Sequence, residues 1–390
     1  MDEFANPYRP GAGTTPPALI GRDELIRRFD VTLARARAAR PGKSVMTVGL
    51  RGVGKTVLLN RFCDMAENRE FVVAFVEASD SGNFATLLVV NLRKLLFGLD
   101  RGTVSRAVTK ALRVLKSFTL QLPDGSTIQL DPEPLLGEAD SGHLDEDLTD
   151  LFVAVGEAAA DRGRAVLIAV DEVQYLAEHE LSALIAAVHR TTQLDLPLVL
   201  VGAGLPQLPG LAGEARSYSE RLFEFPEIGS LDGDNAKAAL SVPASDNGAS
   251  FTDEALEEIV RASQGYPYFL QEWGYHVWNH AAESPVPLSD VIAVRPLVVA
   301  ALDRDFFRVR LDRLTPKERD YLRAMAELGP GPHRSGDISA QLGVRVESVA
   351  PRRSGLIKKG MIYSPAHGDT AFTVPLFDEF LKRVLPPVEQ

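Results

Sequence analysis

Blocks of apolar and polar positions alternate along the first 230 residues of the chain. Short runs that are apolar almost throughout predict strands buried on both faces: SVMTVGL at 44–50, FVVAFVEAS at 71–79, RAVLIAVDE at 164–172 and PLVLVGAG at 197–204. Stretches with apolar residues at helical spacing separate these runs, and RLFEFPEIG at 221–229 is predicted to be the last strand. The alternation predicts an α/β fold whose parallel sheet is covered by helices on both faces.

Changes in composition and pattern divide the chain into four predicted segments. Residues 1–17 are rich in Pro, Gly and Thr and are predicted to be a flexible arm. The α/β core covers 18–229, and an alternating pattern around a Pro-Asp-Gly turn predicts a hairpin insertion at about 117–134. The apolar β-runs of the core stop at about residue 230, so 230–303 is predicted to be a helical lid and 304–390 a C-terminal domain.

The C-terminal domain is expected to begin with a well-defined helix. Thr315 and Glu318 have the spacing of a capping box, which satisfies backbone N–H groups at a helix start. Helix, turn, helix and hairpin follow in the order of a winged helix-turn-helix. Pro351 and Gly355 are expected to interrupt the second of these helices.

The distribution of charge bears on the partners of this domain. The net charge of −11 argues against a chain covered in nucleic-acid-binding surface, but the residues from 304 onward include 15 Lys and Arg against 11 Asp and Glu. The second helix offers five basic residues for DNA phosphates: Arg345, Arg352, Arg353, Lys358 and Lys359. Because winged helices also serve in protein contacts, double-stranded DNA and a protein are both open as partners.

Cysteine content and the N-terminus indicate the compartment. Cys63 is the only cysteine, which excludes an internal disulfide and fits a reducing environment. The first residues lack the apolar region of a signal peptide, and no apolar run approaches the ~18 residues that a membrane span needs. We therefore expect a cytoplasmic protein without a membrane contact.

A glycine-rich segment between the first predicted strand and the next helix carries the clearest chemistry. Residues 49–56, GLRGVGKT, match G-x-x-x-x-G-K-[ST], in which successive backbone N–H groups surround phosphate oxygens at a helix N-terminus. The amine of Lys55 is predicted to reach the β- and γ-phosphates and the hydroxyl of Thr56 to ligate Mg²⁺. The residues predicted to bind the nucleotide here are Gly49, Arg51, Gly52, Val53, Gly54, Lys55, Thr56 and Val57.

Two acidic residues end a strand that is otherwise apolar. Asp171 is predicted to hold Mg²⁺ through water, and Glu172, one residue further on, to act as the general base toward the attacking water. This pairing is typical of the additional-strand ATPases and distinguishes them from nucleotide kinases and GTPases. The guanine signature Asn-Lys-x-Asp is absent from the sequence, which favours ATP.

Together these motifs resemble a known superfamily. LIGRDEL before the first core strand, RGVGKT, VDEVQ and the later GYP are similar to the AAA+ and STAND ATPases, and over residues 18–385 most resemble origin-initiator-like ATPases with a C-terminal winged helix. The resemblance implies an additional-strand P-loop NTPase fold with a helical lid and a winged helix-turn-helix. It also implies ATP and Mg²⁺ as ligands and a nucleotide-dependent homo-oligomer.

The resemblance further assigns residues outside the two core motifs. Ile20, Gly21 and Arg22 would line the adenine side of the site, and Pro267 in the GYP motif would place the lid over the adenine. Arg221 lies where such proteins carry the arginine finger that completes a neighbour's site. Arg216 is a competing candidate for that role.

The sequence departs from the motor ATPases in two places, and both departures favour slow turnover. The fourth strand ends in Gly202-Ala203-Gly204, where motors carry a polar sensor, and the nearest amide along the chain is Gln207. The lid segment GYPYFLQEW also lacks the arginine with which motors sense the γ-phosphate. We therefore expect a slow ATP-dependent switch that binds DNA. The alternative is a signalling switch, or a sensor with weak hydrolysis, whose winged helix binds a protein.

Overall fold

The computed structural model describes residues 1–11, 13–40, 42–79, 84–99, 105–120, 133–366 and 368–387. Two compact units contain them. The sheet unit comprises Asp23–Gly49 and Leu58–Glu227, and the helical unit comprises Met1–Arg22, Leu50–Val57 and Ile228–Gln390. Within the described ranges, no helix is long and apolar enough to cross a bilayer.

A parallel sheet is the centre of the sheet unit. Its strands are β1 (Ser44–Gly49), β2 (Phe71–Glu77), β3 (Ala165–Asp171), β4 (Leu198–Gly204) and β5 (Phe223–Glu224). They lie side by side in the order β2-β3-β4-β1-β5. Because β4 lies between β1 and β3, this is the additional-strand order, and the predicted α/β fold class is confirmed. Every residue of β1, β3 and β4 is buried, as the apolar runs predicted.

Helices cover the sheet. They are α1 (Asp23–Arg37), α2 (Lys55–Asn68), α3 (Phe84–Leu99), α4 (Arg106–Leu120), α5 (Leu144–Asp161), α6 (Glu178–Gln193), α7 (Leu208–Ala215) and α8 (Ser219–Leu222), with α2 beginning in the helical unit. The first residues of the hairpin insertion predicted at about 117–134 are the last turn of α4, and residues 121–132 lie outside the described residues.

The strand predicted at 221–229 is corrected by the structure. Residues Ser219–Leu222 are helical, and only the two-residue strands β5 and β6 (Glu227–Ile228) follow. Pro226 separates them, and its carbonyl accepts a hydrogen bond from the Val48 amide at 3.0 Å. Since proline has no amide hydrogen to donate, a continuous ladder cannot pass through this position.

Among the residues that the structure describes, nine further α-helices belong to the helical unit. They are α9 (Gly233–Asp246), α10 (Asp253–Ser263), α11 (Pro267–His280), α12 (Leu288–Ala301), α13 (Arg308–Leu311), α14 (Pro316–Glu327), α15 (Ser335–Gln341), α16 (Val346–Lys358) and α17 (Phe377–Val384). A π-helical segment, Leu302–Phe307, joins α12 to α13. The boundary predicted between residues 303 and 304 therefore falls inside a helical stretch rather than in a linker.

The C-terminal part of this unit also contains a small antiparallel sheet. Its strands β7 (His333–Arg334), β8 (Ile362–Tyr363) and β9 (Asp369–Phe372) are ordered β7-β9-β8. The capping box of Thr315 and Glu318 opens α14 as predicted. Helix α16 runs through Pro351 and Gly355, so the expected interruption is wrong. Burial of Val349 and Leu356 on either side holds the helix together although proline removes one of its hydrogen bonds.

The N-terminal residues were predicted to be a flexible arm, and the structure corrects this for residues 2–9. Tyr8 is buried, and its hydroxyl donates a hydrogen bond of 2.5 Å to the carbonyl of Leu240. Its ring packs edge-on against Trp278, whose indole N–H donates to the carbonyl of Asp2 at 2.8 Å. These contacts attach the segment to α11. Tyr8, a large aromatic residue within an otherwise polar stretch, is stabilised by burial of its ring.

Candidate nucleotide site

The glycine-rich segment forms a loop of the kind that surrounds phosphate. Gly52 and Gly54 have φ values of +84° and +93°, a region that L-residues rarely adopt, and α2 begins directly afterwards at Lys55. A Cβ atom added to Gly54 would meet nothing within 4 Å, so open space borders the loop at that point. Backbone amides at a helix N-terminus next to open space fit an anionic ligand.

The side chains of the loop agree with this use. Lys55 is only 6% exposed, and its amine donates a hydrogen bond of 2.8 Å to the carbonyl of Leu50. Val53 and Val57 are buried and anchor the loop. The hydroxyl of Thr56, directly after Lys55, is the group of this loop that is predicted to ligate Mg²⁺. A lysine, a hydroxyl and glycine amides on one loop fit the β- and γ-phosphates of ATP and its Mg²⁺.

The two motifs assigned to the adenine side, which contain Gly21 and Gly265, both contact Leu231 in the helical unit. Gly265 leaves no room for a Cβ atom beside the carbonyl of Leu231, and its own carbonyl accepts the Leu231 amide at 2.9 Å. A Cβ atom on Gly21 would lie 3.2 Å from the Leu231 side chain. Arg22 donates to the carbonyl of Gly229 at 2.5 Å, and burial lowers its pKa. Segments more than 200 residues apart thus share this contact.

The lid motif also contacts the glycine-rich loop itself. Pro267 is the first residue of α11, and the next backbone amide, that of Tyr268, donates to the carbonyl of Gly52 at 3.3 Å. A Cβ atom on Gly52 would lie 3.0 Å from Cε1 of Tyr266. Tyr266 is buried, which raises the pKa of its phenol, and its hydroxyl has no hydrogen-bond partner among the described residues. Sequence reasoning did not single out Tyr266 within GYP.

The predicted acidic pair lies at the end of β3 in the sheet unit. Asp171 is buried, and its carboxylate accepts the amide of Glu172 at 2.8 Å. Glu172 has a φ of +54°, an uncommon conformation for a residue with a side chain, and its carboxylate accepts a hydrogen bond from the Gln174 amide. The strand end thus holds the Glu172 carboxylate in one orientation.

Gln174 is the functional candidate that the sequence analysis missed. Its side-chain oxygen accepts the Leu205 amide at 3.0 Å, directly after β4. The side-chain amide that contacts the end of β4 is therefore that of Gln174. Gln207 directly precedes α7, and its side-chain oxygen is buried without a partner among the described residues. The available signal was the Gln of VDEVQ, which follows the acidic pair by two positions.

The two candidates for an arginine finger differ in their surroundings. Arg216 donates to the hydroxyl of Ser182 at 3.0 Å and forms an ion pair with Asp145. Arg221 is exposed in the last turn of α8. The side chain of Arg216 is thus engaged by contacts within the sheet unit. Arg221 is better placed to reach another molecule because it is exposed.

Two of the five basic residues predicted to contact DNA are bound within the helical unit. Arg353 donates to the hydroxyls of Thr370 and Ser364, both at 2.9 Å. Lys359 forms an ion pair of 2.7 Å with Glu318. These contacts hold α16 against its neighbours, and the assignment of the two residues to a DNA surface stays a prediction. Arg345, Arg352 and Lys358 have no such contacts in the described structure, and Arg345 and Lys358 are exposed.

The strand order and the glycine-rich loop together define a P-loop nucleoside triphosphatase fold of the additional-strand type. Residues 18–201 match a family model described as AAA ATPase domain, and residues 304–381 match a domain of unknown function. This match confirms the predicted resemblance to AAA+ ATPases for residues 18–201 and supports an ATP-binding ATPase. No curated protein sequence matches the chain.

Several solved structures match this chain over most of its length. A Walker-type ATPase of Pyrococcus abyssi is 17% identical, with a TM-score of 0.57, and the match covers 95% of this chain and 98% of that one. RuvB of Thermotoga maritima, a Holliday junction branch migration motor, is 17% identical with a TM-score of 0.46 over 98% and 100% of the chains. Cdc6p from Pyrobaculum aerophilum is 15% identical with a TM-score of 0.46 over 99% of each chain.

Proposed function

We propose that the chain is a slowly hydrolysing ATP-dependent switch of the cytoplasm, whose C-terminal winged helix responds to the nucleotide. Lys55 would bind the phosphates, and Thr56 and Asp171 would hold Mg²⁺. Glu172 would act as the general base toward water. The assignment of these four roles rests on the two sequence motifs, and the buried position of Lys55 and the fixed Glu172 carboxylate support it.

One contact in the helical unit carries the proposal of a switch. A Cβ atom on Gly360, which lies between α16 and β8, would be 2.6 Å from Nη2 of Arg51 in the glycine-rich loop. The loop that binds phosphate is thus in direct contact with the C-terminal domain. A nucleotide that repositions Arg51 would change the packing around Gly360, because buried contacts are close-packed and transmit small shifts.

Slow hydrolysis is supported by the space at the end of β4. A Cβ atom on Gly202 would collide with Sδ of Met46, and one on Gly204 would lie 2.8 Å from Cδ2 of Leu208. No polar sensor side chain fits at either position. Gln174 is the polar group at this strand end, and it is engaged by the Leu205 amide and Glu172. Without a second polar group to position water, transition-state stabilisation is reduced.

Amide hydrogen exchange tests the switch. We expect a non-hydrolysable ATP analogue to change exchange not only in residues 50–57 but also in α16 and β8, because Arg51 links the two. The Lys55→Ala protein is the control, because it lacks the amine that is predicted to bind phosphate, and it should show no change. Nucleotide-dependent exchange confined to residues 50–57 and α11 in the wild type would contradict the switch.

For the partner of the winged helix, we propose duplex DNA contacted through its phosphates, as the origin-initiator-like motifs suggest. Arg352 and Lys358 on α16 and Arg345, which directly precedes this helix, would make the contacts. Each phosphate neutralised contributes a slope of about −0.9 to log K against log salt, so three contacts predict a slope of about −2.7. Fluorescence anisotropy of a labelled duplex at several salt concentrations measures this slope.

Charge-removing variants localise the contact. Arg352→Ala and Lys358→Ala should each reduce the salt slope by about one. Lys317→Ala removes the same charge from an exposed position on α14 and should leave the slope unchanged. Equal effects of all three variants would indicate non-specific attraction and contradict a DNA surface on α16.

A protein partner is the second candidate, and one observation favours it. Val344 and Val346, at the start of α16, are 37% and 46% exposed, and Glu347 beside them is also exposed. An apolar, partly acidic helix start is a poor match for DNA phosphates and a better match for a protein surface. Absence of duplex binding at 50 mM salt, with and without ATP, would favour this candidate.

A further inference from the structure

The π-helical segment Leu302–Phe307 brings an aromatic residue to the glycine-rich loop. Cζ of Phe306 lies 3.5 Å from the position of a Cβ atom on Gly52. Phe306 is buried and stacks on Tyr268, with ring centroids 4.5 Å apart and planes at 25°. A π-helical turn within an α-helical stretch is often found at functional sites, because it changes the direction of side chains relative to a regular helix. Here it places Phe306 against the loop.

Arg310 lies over the same ring. Its guanidinium carbon is 3.9 Å from the centroid of Phe306, and the guanidinium donates a hydrogen bond to the carbonyl of the same residue. Arg310 forms no ion pair within the described part of the chain. Burial, followed by the like charge of Arg51, lowers the pKa of Arg310 to about 10. Two arginines therefore lie near one glycine-rich loop.

A half-buried cation beside a like charge is unfavourable unless an anion binds there. The hydroxyl of Tyr266 is also buried against Gly52, and it has no hydrogen-bond partner in the described structure. Arginine and phenol hydroxyl groups both donate hydrogen bonds to phosphate oxygens, and arginine is suited to phosphate recognition because its donors are planar and paired. The half-buried cation without an ion pair and the hydroxyl without a hydrogen-bond partner thus both favour an anion at the loop.

We propose that Arg310 binds the phosphate groups of the nucleotide and supplies the positive charge that the segment GYPYFLQEW lacks. This inference rests on the proposed binding of ATP at the glycine-rich loop. Arg310 follows GYP by more than 40 residues and belongs to a different helix, so no local motif indicates it. Phe306 would orient the guanidinium by a cation–π contact, and the carbonyl of Phe306 would fix one of its N–H groups.

The test compares Arg310→Ala and Arg310→Lys with Arg308→Ala. Arg308 is exposed on the same short helix, so its removal changes net charge equally without affecting the loop. A charged hydrogen bond contributes about 1.5–3 kcal/mol, so Arg310→Ala should weaken binding of ATP and of tripolyphosphate about tenfold to a hundredfold. Arg310→Lys should recover part of this loss, and Arg308→Ala should bind as the wild type does.

A purely structural role of Arg310 is separated by thermal unfolding. If Arg310 binds phosphate, the ATP-induced rise in Tm shrinks in Arg310→Ala while Tm without nucleotide changes little. An unchanged ATP-induced rise with a lowered nucleotide-free Tm would overturn the proposal, as would unchanged tripolyphosphate affinity. A wild-type protein that binds no ATP would overturn the proposed function and this inference together, whereas normal ATP binding by Arg310→Ala would overturn the inference alone.

Discussion

Substitution of Gly52 by alanine tests how tightly the lid motif packs on the glycine-rich loop. The backbone at Gly52 has a φ of +84°, and an L-residue in the left-handed region costs about 1–2 kcal/mol. The added methyl group would also lie 3.0 Å from Cε1 of Tyr266, a fully buried ring. Overpacking of this kind costs about 1–3 kcal/mol, so Gly52→Ala should destabilise the helical unit by about 2–5 kcal/mol.

Gly54→Ala is the matched control. Its φ of +93° imposes a similar backbone cost, but a Cβ atom there meets nothing within 4 Å, so we expect a loss of only about 1–2 kcal/mol. Urea unfolding without nucleotide, followed by tryptophan fluorescence, measures both variants. The two tryptophans of the chain, Trp273 and Trp278, are buried in α11 and report on the helical unit. Equal destabilisation by the two substitutions would refute packing of Tyr266 on the loop.

Three further predictions concern turnover, the N-terminal segment and assembly. Lys55→Ala should abolish ATP binding, whereas Glu172→Gln should bind ATP normally and lose phosphate release; turnover in Glu172→Gln equal to wild type would remove its assigned role. Tyr8→Ala should destabilise the helical unit by about 3–5 kcal/mol in urea unfolding, and a loss below about 1 kcal/mol would show that the segment is not packed. Arg221→Ala should lower ATPase activity only at protein concentrations where sizing shows an oligomer, and a loss in the monomer would contradict a role in a neighbour's site.

The elements that were predicted correctly depend on residues close together in the chain. The glycine-rich loop is a contiguous motif because consecutive amides must surround one phosphate. The capping box of Thr315 and Glu318 spans one helical turn, and the buried strands follow from uninterrupted apolar runs. In each case the interaction that stabilises the element joins neighbouring residues, so its pattern is visible in the sequence.

The sequence did not reveal contacts between distant residues. Arg353 and Lys359 were predicted to contact DNA, and nothing in the sequence indicated that Arg353 donates hydrogen bonds to β9 or that Lys359 forms an ion pair with α14. Tyr8 lies in a segment with a flexible composition, and a buried site more than 230 residues away holds it. The presence of a charged or aromatic residue in a sequence does not reveal whether that side chain has a partner in the folded protein.

Local sequence was therefore sufficient to place the glycine-rich loop before α2 and the acidic pair at the end of β3 and to predict the sheet, because their geometry follows from short runs of residues. Only the tertiary structure shows that Gln174 contacts the end of β4 and that GYP and Gly21 both contact Leu231. It also shows that Arg310 lies over Phe306, which is next to the loop. The physical reason is that these positions depend on close packing between segments far apart in the chain, and such packing leaves no periodic or contiguous pattern in the sequence.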